Sequence, residues 1–195
     1  AVTITWTAGH GIQDLSPTGN AFAGAGWSYT LNPAIASGDL VINEFLVENR
    51  NSLEDVDGQK DGWIELRNRG ANAVNLTGWS LTDDPELPGK WVFPNITLGA
   101  GQYLIVFASG KDRKTTAVNA TNHTNFRLSL AGGYLALFNS SFPRAVVSQF
   151  PTYPEQRADI SYGLASSGSA TYFATLTPRA ANNDASAAAG FVQPP

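Results

Sequence analysis

The 195-residue sequence has no cysteine, no methionine and only two histidines, His10 and His123. Without cysteine there is no disulfide, no thiol nucleophile and no Cys-ligated zinc or iron–sulfur centre. Two histidines are too few for a multi-histidine zinc site built from this chain alone. Met is missing even at position 1, so we expect a processed chain or an excised piece of a longer one. Charge is scarce too. Only 14% of residues are charged, against about a quarter in ordinary domains, which excludes coiled coil, charge-rich disorder and strongly charged tails. The net charge of −4 argues against a nucleic-acid partner, whose phosphates need a basic face. No run approaches the roughly 18 apolar residues of a membrane helix, and no signal peptide stands at the start.

What is present is enough apolar and aromatic residue to fill a core, 43% and 11% of the chain, arranged in short strands. Leu40 to Glu48 is rich in β-branched and aromatic residues, and Trp63 to Leu66 alternates as a half-buried strand does. Further strands are expected at Ala73 to Thr82, Trp91 to Phe93, Tyr103 to Ala108, Tyr134 to Phe138 and Ala145 to Phe150. Turn pairs such as Asp57-Gly58, Pro88-Gly89 and Gly132-Gly133 separate them. No segment carries a helical period over roughly ten residues. The fold class is therefore all-β, an antiparallel sandwich or barrel. Residues 1–36 read as an N-terminal strand pair too small to fold alone, 37–183 as the main domain, and 184–195 as a flexible Ala- and Pro-rich tail.

The chemistry-bearing signal is local. Between Glu44 and Glu65 stand Glu48, Glu54, Asp55, Asp57 and Asp61, with Arg50 and Lys60 the only bases. Asp55, Asp57 and Asp61 around Gly58 are candidate calcium ligands, because alternating hard oxygens on a sharply bent loop suit that ion. The spacing departs from an EF-hand: its first ligand position is Leu53 and its last is Ile64. The alternative is a solvated connection whose Asp and Gly serve turn geometry. Asp83, Asp84 and Glu86 make a second acidic turn.

Catalytic residues are not assigned. His10 and His123 sit in polar turns, no nucleophile elbow is present, and Glu65 with Asp61 is a pair that any acidic β protein offers. Asn75, Asn95, Asn119, Asn122 and Asn139 begin glycosylation sequons, and Trp63, Trp79 and Trp91 read as core in preference to a sugar-stacking platform.

Several ordered motifs carry a family likeness. Leu40-Val-Ile-Asn-Glu-Phe45, Asp61-Gly-Trp-Ile-Glu-Leu-Arg-Asn68, Val74 to Asp83, Trp91-Val-Phe-Pro94 and Leu98 to Ala108 resemble a lamin tail domain. Thr124 to Ser129, Gly133 to Phe138 and Tyr172 to Pro178 resemble the bacterial branch of that family. The resemblance implies an immunoglobulin-like antiparallel β-sandwich with an N-terminal β appendage, and a structural role for Asn43, Glu44, Glu65 and Asn68 in tying strands. It also implies a non-catalytic structural or interaction module of a multidomain secreted or cell-surface bacterial protein, whose partner is a protein or surface polymer. The rivals are a calcium-stabilised or carbohydrate-binding module and an accessory domain of an extracellular hydrolase or nuclease. Gly11 to Phe22 with Trp27 to Leu31 is similar to the last strands of a bacterial immunoglobulin-like surface module.

Overall fold

The computed structural model describes residues 38–116 and 121–190 in full, with the backbone of two short strands near the N-terminus. The chain divides into two compact units, Ala1–Ala34 and Ile35–Pro195. In the first, β1 (Val2–Ile4) pairs antiparallel with β2 (Trp27–Tyr29), Val2 opposite Tyr29. His10 and Asn119 lie outside the described residues.

The second unit holds β3 (Leu40–Leu46), β4 (Trp63–Asn68), β5 (Val74–Asn75), β6 (Ser80–Thr82), β7 (Trp91–Val92), β8 (Thr97–Leu98) and β9 (Tyr103–Phe107). It continues with β10 (Asn122–His123), β11 (Gly133–Phe138), β12 (Val146–Tyr153), β13 (Ser161–Leu164), β14 (Ala170–Phe173) and β15 (Ala187–Ala188). One sheet runs in the order β10-β9-β4-β3-β13-β14-β15, a second β12-β11-β6-β7, and β5-β8 form a ribbon. The pairs are antiparallel, as the sequence leads one to expect, except that β10 lies parallel to β9.

Alternation builds the sandwich. Leu40, Ile42 and Phe45 of β3, Ile64 and Leu66 of β4, and Leu104 and Val106 of β9 share one core with Leu81, Leu135, Leu137 and Phe150 of the smaller sheet. Phe45 is central: its ring meets Phe150, Tyr153 and Tyr162 edge-on at 5.2, 5.0 and 5.8 Å, the favoured aromatic geometry. The intervening residues face the other way, yet they too are covered. Leu46, Trp63, Ile105 and Phe107 form a second cluster with Leu53 and Leu176, which come from the segments following β3 and β14. Trp63, Trp79 and Trp91 are all buried, so none presents a ring face to solvent.

A bulge interrupts β3. Ile42 faces Leu66 and Glu44 faces Glu65, leaving Asn43 as the extra residue. The slip puts Asn43 and Glu44 together on the outward face and returns Phe45 to the core. Gly163 lies opposite Glu44 on β13, and a Cβ there would strike the Asn43 carbonyl and come within 2.8 Å of the Glu44 Cα.

Two expectations are corrected. Residues 73–82 form two strands, because Gly78 turns the chain at φ +78° and the Leu76 amide bonds the Ile96 carbonyl at 2.8 Å. The stretch from 184 is built into the fold as far as Ala188: Asp184 accepts the Ser166 amide at 3.1 Å, Asp184–Ser186 forms a 3₁₀ turn, and β15 adds to β14. Small alanines let that edge lie close without a core of its own.

Gly163→Ala is expected to destabilise the fold by about 1–3 kcal/mol through overpacking at the bulge. Gly190→Ala, where a Cβ meets open space, should leave the urea midpoint unchanged.

Candidate functional site

Two polar clusters occupy the covered face of the larger sheet. The first surrounds Glu44 and Glu65, paired across β3 and β4 and both fully buried. Asn43 Nδ2 donates to Glu65 Oε1 at 2.8 Å, and the Arg179 backbone amide donates to Oε2. Glu44 accepts from the hydroxyls of Ser161 at 2.5 Å and Thr177 at 2.8 Å. Asn182 ties the bulge in place, accepting from Asn43 Nδ2 at 2.8 Å and donating to the Asn43 carbonyl at 3.0 Å. Arg179 itself sits in the left-handed region at φ +64°, held where its amide reaches the carboxylate. Asn68 plays a similar framework part, donating to the carbonyls of Asn72, Leu98 and Gly99 at 2.7, 3.0 and 3.0 Å.

Burial dominates the titration of this pair. It pushes Glu65 up to about 8, against the amide and Asn43 hydrogen bonds and with help from the neighbouring Glu44 charge. Glu44 is raised by burial as well. The cleft beside the network, lined by Asn43, Arg67, Arg69 and Ser166, holds about 60 Å³. Small-molecule sites run to roughly 300–1,000 Å³, so this one has room for little more than water.

The second cluster is the one the acidic loop suggested. Between β3 and β4 the chain is closed by Asn49, whose Nδ2 donates to the Leu53 and Asp61 carbonyls at 2.6 and 3.1 Å. Asp55 Oδ1 accepts the Asp57 and Gln59 amides at 2.9 and 2.8 Å, with Gly58 at φ +71°. This is turn chemistry. It leaves Asp55 Oδ2 aimed at the cluster.

The structure brings Asp55, Asp57 and Asp61 together, around the ammonium of Lys111. Lys111 Nζ bonds Asp55 Oδ2 and lies 3.2 Å from both Asp57 Oδ2 and Asp61 Oδ2. Arg113 pairs with Asp57 at 2.7 Å and Arg127 with Asp61 at 2.8 Å. The Asp55 side chain is 0% exposed, Asp61 10%, Lys111 22% and Asp57 39%. Burial alone would raise Asp55; the Lys111 ammonium and the two amides outweigh it and hold the carboxyl at about 2. Sequence reading missed Lys111, Arg113 and Arg127. The one signal for Lys111 and Arg113 was the basic run Lys111-Asp-Arg-Lys114 in a chain short of charge; Arg127 had none.

His123, read from sequence as a loop residue, is instead fully buried. Its ring stacks on Phe107 at 5.3 Å, Nδ1 meets Ser109 Oγ at 2.9 Å, and Nε2 stands 3.9 Å from Asp55 Oδ2 without a hydrogen-bond partner. Burial lowers its pKa, reinforced by Lys111 and Arg113, so the ring is neutral at pH 7. Asn122 is buried too, which removes it as a glycan acceptor, whereas Asn75 and Asn95 are exposed. The other acidic turn has its own partners: Asp83 pairs with Lys90 at 2.6 Å and Asp84 caps the Glu86 amide.

A two-sheet sandwich of immunoglobulin type, with Asn43, Glu44, Glu65 and Asn68 bonded across strands and loops, defines the class. The model of one family, described as Lamin Tail Domain, matches residues 33–151. The chain belongs to the lamin tail domain family. Immunoglobulin-like domains of this family are generally non-catalytic. No curated protein matches the chain. The match ends at Pro151, so β13, which pairs with β3, and β14 beside it lie beyond it.

Two outcomes follow. Glu65 keeps its proton in the folded state up to about pH 8 but releases it near 4.5 when unfolded, so its contribution is favourable at low pH and is lost as pH rises through that window. His123 opposes this only below its ordinary value of 6.5. The melting temperature should therefore fall between pH 6.5 and about 8, and Glu65→Gln should flatten that fall. Lys111→Met, which strands the Asp55 carboxylate, should cost about 3–5 kcal/mol at pH 7 in urea unfolding. Arg127→Ala, at a rim position, should cost about 1 kcal/mol or less.

Proposed function

We propose that the chain is a non-catalytic structural or protein-interaction module of a multidomain bacterial protein, secreted or displayed at the cell surface. One observation carries the reading. Glu44, Glu65, Asp55 and His123, the side chains best suited to acid–base work, are buried and bonded to the backbone or to neighbouring strands and loops. In the metal-free chain these groups hold strands and loops in place. A surface rich in neutral polar groups and poor in charge supports an extracellular setting, and the net charge of −4 disfavours nucleic acid. The likeness of residues 1–36 to the end of another surface module supports a tandem arrangement, with 37–183 as the lamin tail domain.

The partner in this reading is a protein or a surface polymer. β12 is the edge of the four-stranded sheet, and the hairpin leading into it carries Phe142, a fully exposed ring. An edge strand offers unpaired backbone groups, while Pro151 within β12 blunts pairing along part of it. Recognition by backbone pairing would use the stretch around Val146 to Gln149. In this reading Lys111, Arg113 and Arg127 together neutralise Asp55, Asp57 and Asp61; calcium, which takes six to eight oxygens, would find too few ligands there.

The test combines turnover and stability. The full chain, Glu65→Gln and His123→Ala would be assayed against phosphoester, glycoside, peptide and nucleic-acid substrates, with melting curves alongside and with added Ca²⁺. We expect no turnover, lower melting temperatures for both variants, and no calcium shift. Saturable turnover lost in either variant would overturn the reading.

A further inference from the structure

We propose that Asp55, Asp61 and His123 form a binding site for a divalent transition metal, zinc being the best fit, which Lys111 holds closed in the metal-free chain. One carboxylate oxygen of each aspartate and a ring nitrogen of His123 lie within 4.8 Å of one another. Donors around tetrahedral zinc, with bonds of about 2.0–2.1 Å, stand roughly 3.3 Å apart, and His123 Nε2 is already 3.9 Å from Asp55 Oδ2. A small contraction completes the set.

The independent sign of a ligand is His123 Nε2. It is buried, has no hydrogen-bond partner and faces the carboxylates. In the tautomer where Nδ1 donates to Ser109 Oγ, Nε2 presents its lone pair to the site. Each ligand is also braced from behind, as metal ligands are. Ser109 and Phe107 fix the ring, the Asp57 and Gln59 amides hold Asp55 Oδ1, and Arg127 holds Asp61 Oδ1. In each aspartate the second oxygen is left for the metal.

The metal would enter by exchange with the Lys111 ammonium. Two carboxylates match a divalent ion, and the displaced Lys111 ammonium has a second partner in the more exposed Asp57. A mixed nitrogen and oxygen set suits zinc over calcium, which takes oxygens. The histidine thus replaces Asp57 in the ligand set that the acidic loop suggested.

The probe is Zn²⁺ titrated by calorimetry into the metal-free 195-residue chain, with Ca²⁺ as control and Co²⁺ absorption as a reporter of tetrahedral geometry. Saturable 1:1 zinc binding is expected, with a raised melting temperature. It should be lost in Asp61→Asn and His123→Ala, kept in His10→Ala, and strengthened at least tenfold in Lys111→Met. Visible Co²⁺ bands should appear in wild type and vanish in Asp61→Asn, a variant near the surface that keeps the buried histidine. No saturable zinc binding by either wild type or Lys111→Met would overturn the proposal. So would binding unchanged in Asp61→Asn and lost in His10→Ala.

Discussion

Two carboxyl groups standing side by side on a covered sheet face set the terms for the rest of this domain. Glu44 and Glu65 are opposite each other on adjacent central strands and shielded from solvent. A carboxylate in such a place costs several kcal/mol unless every lone pair is answered. The answers come from far along the chain: Ser161 on β13, then Thr177, Arg179 and Asn182 beyond β14. None of these groups can reach its place unless β13 and β14 have already docked. The polar pair therefore couples the two central strands to the C-terminal strands that complete the sheet. It acts as a test of register as much as a source of stability, since a strand displaced by one residue would leave a buried carboxyl group without a partner.

The second cluster solves the same problem by other means. Asp55 is buried too, though less deeply than Glu65, yet its carboxyl is held low while that of Glu65 is pushed high. Besides depth, the difference is the company. Around Glu65 stand neutral donors and another acid; around Asp55 stand an ammonium and two backbone amides. Desolvation favours the proton in both, and only a full positive charge at contact distance outweighs it. One network therefore loses stability on the alkaline side and the other on the acid side.

What was legible in the sequence follows from how local each cause is. β3, β4, β9 and β11 carry their own alternation of branched or aromatic residues, so they could be read directly. β10 could not: Asn122 and His123 are polar, and they join the sheet because Val106 and Phe107 offer a parallel partner. β13 and β15 are short and rich in small residues, and they exist by addition to a preformed edge. The acidic loop announced a need for positive charge, since Asp55, Asp57 and Asp61 converge as their spacing suggested. The source of that charge did not show, because Lys111 and Arg127 are separated from their partners by 56 and 66 positions. The family likeness reached the framework role of Asn43, Glu65 and Asn68, which periodicity alone does not reveal.

These pieces assign different jobs to the two faces of one sheet. The inward face is apolar and closed by Phe45 and its aromatic neighbours, a packing problem with no ionic chemistry in it. The opposite face carries both polar clusters beneath loops that a sandwich does not strictly require. A change in a covering loop, such as loss of Lys111, leaves every inward contact of Phe45 in place. A change at the bulge does not, because Asn43 and Glu44 determine where Phe45 points. Asn43 and Gly163 thus belong to the fold, whereas Asp57, Lys111 and Arg127 belong to the chemistry laid over it.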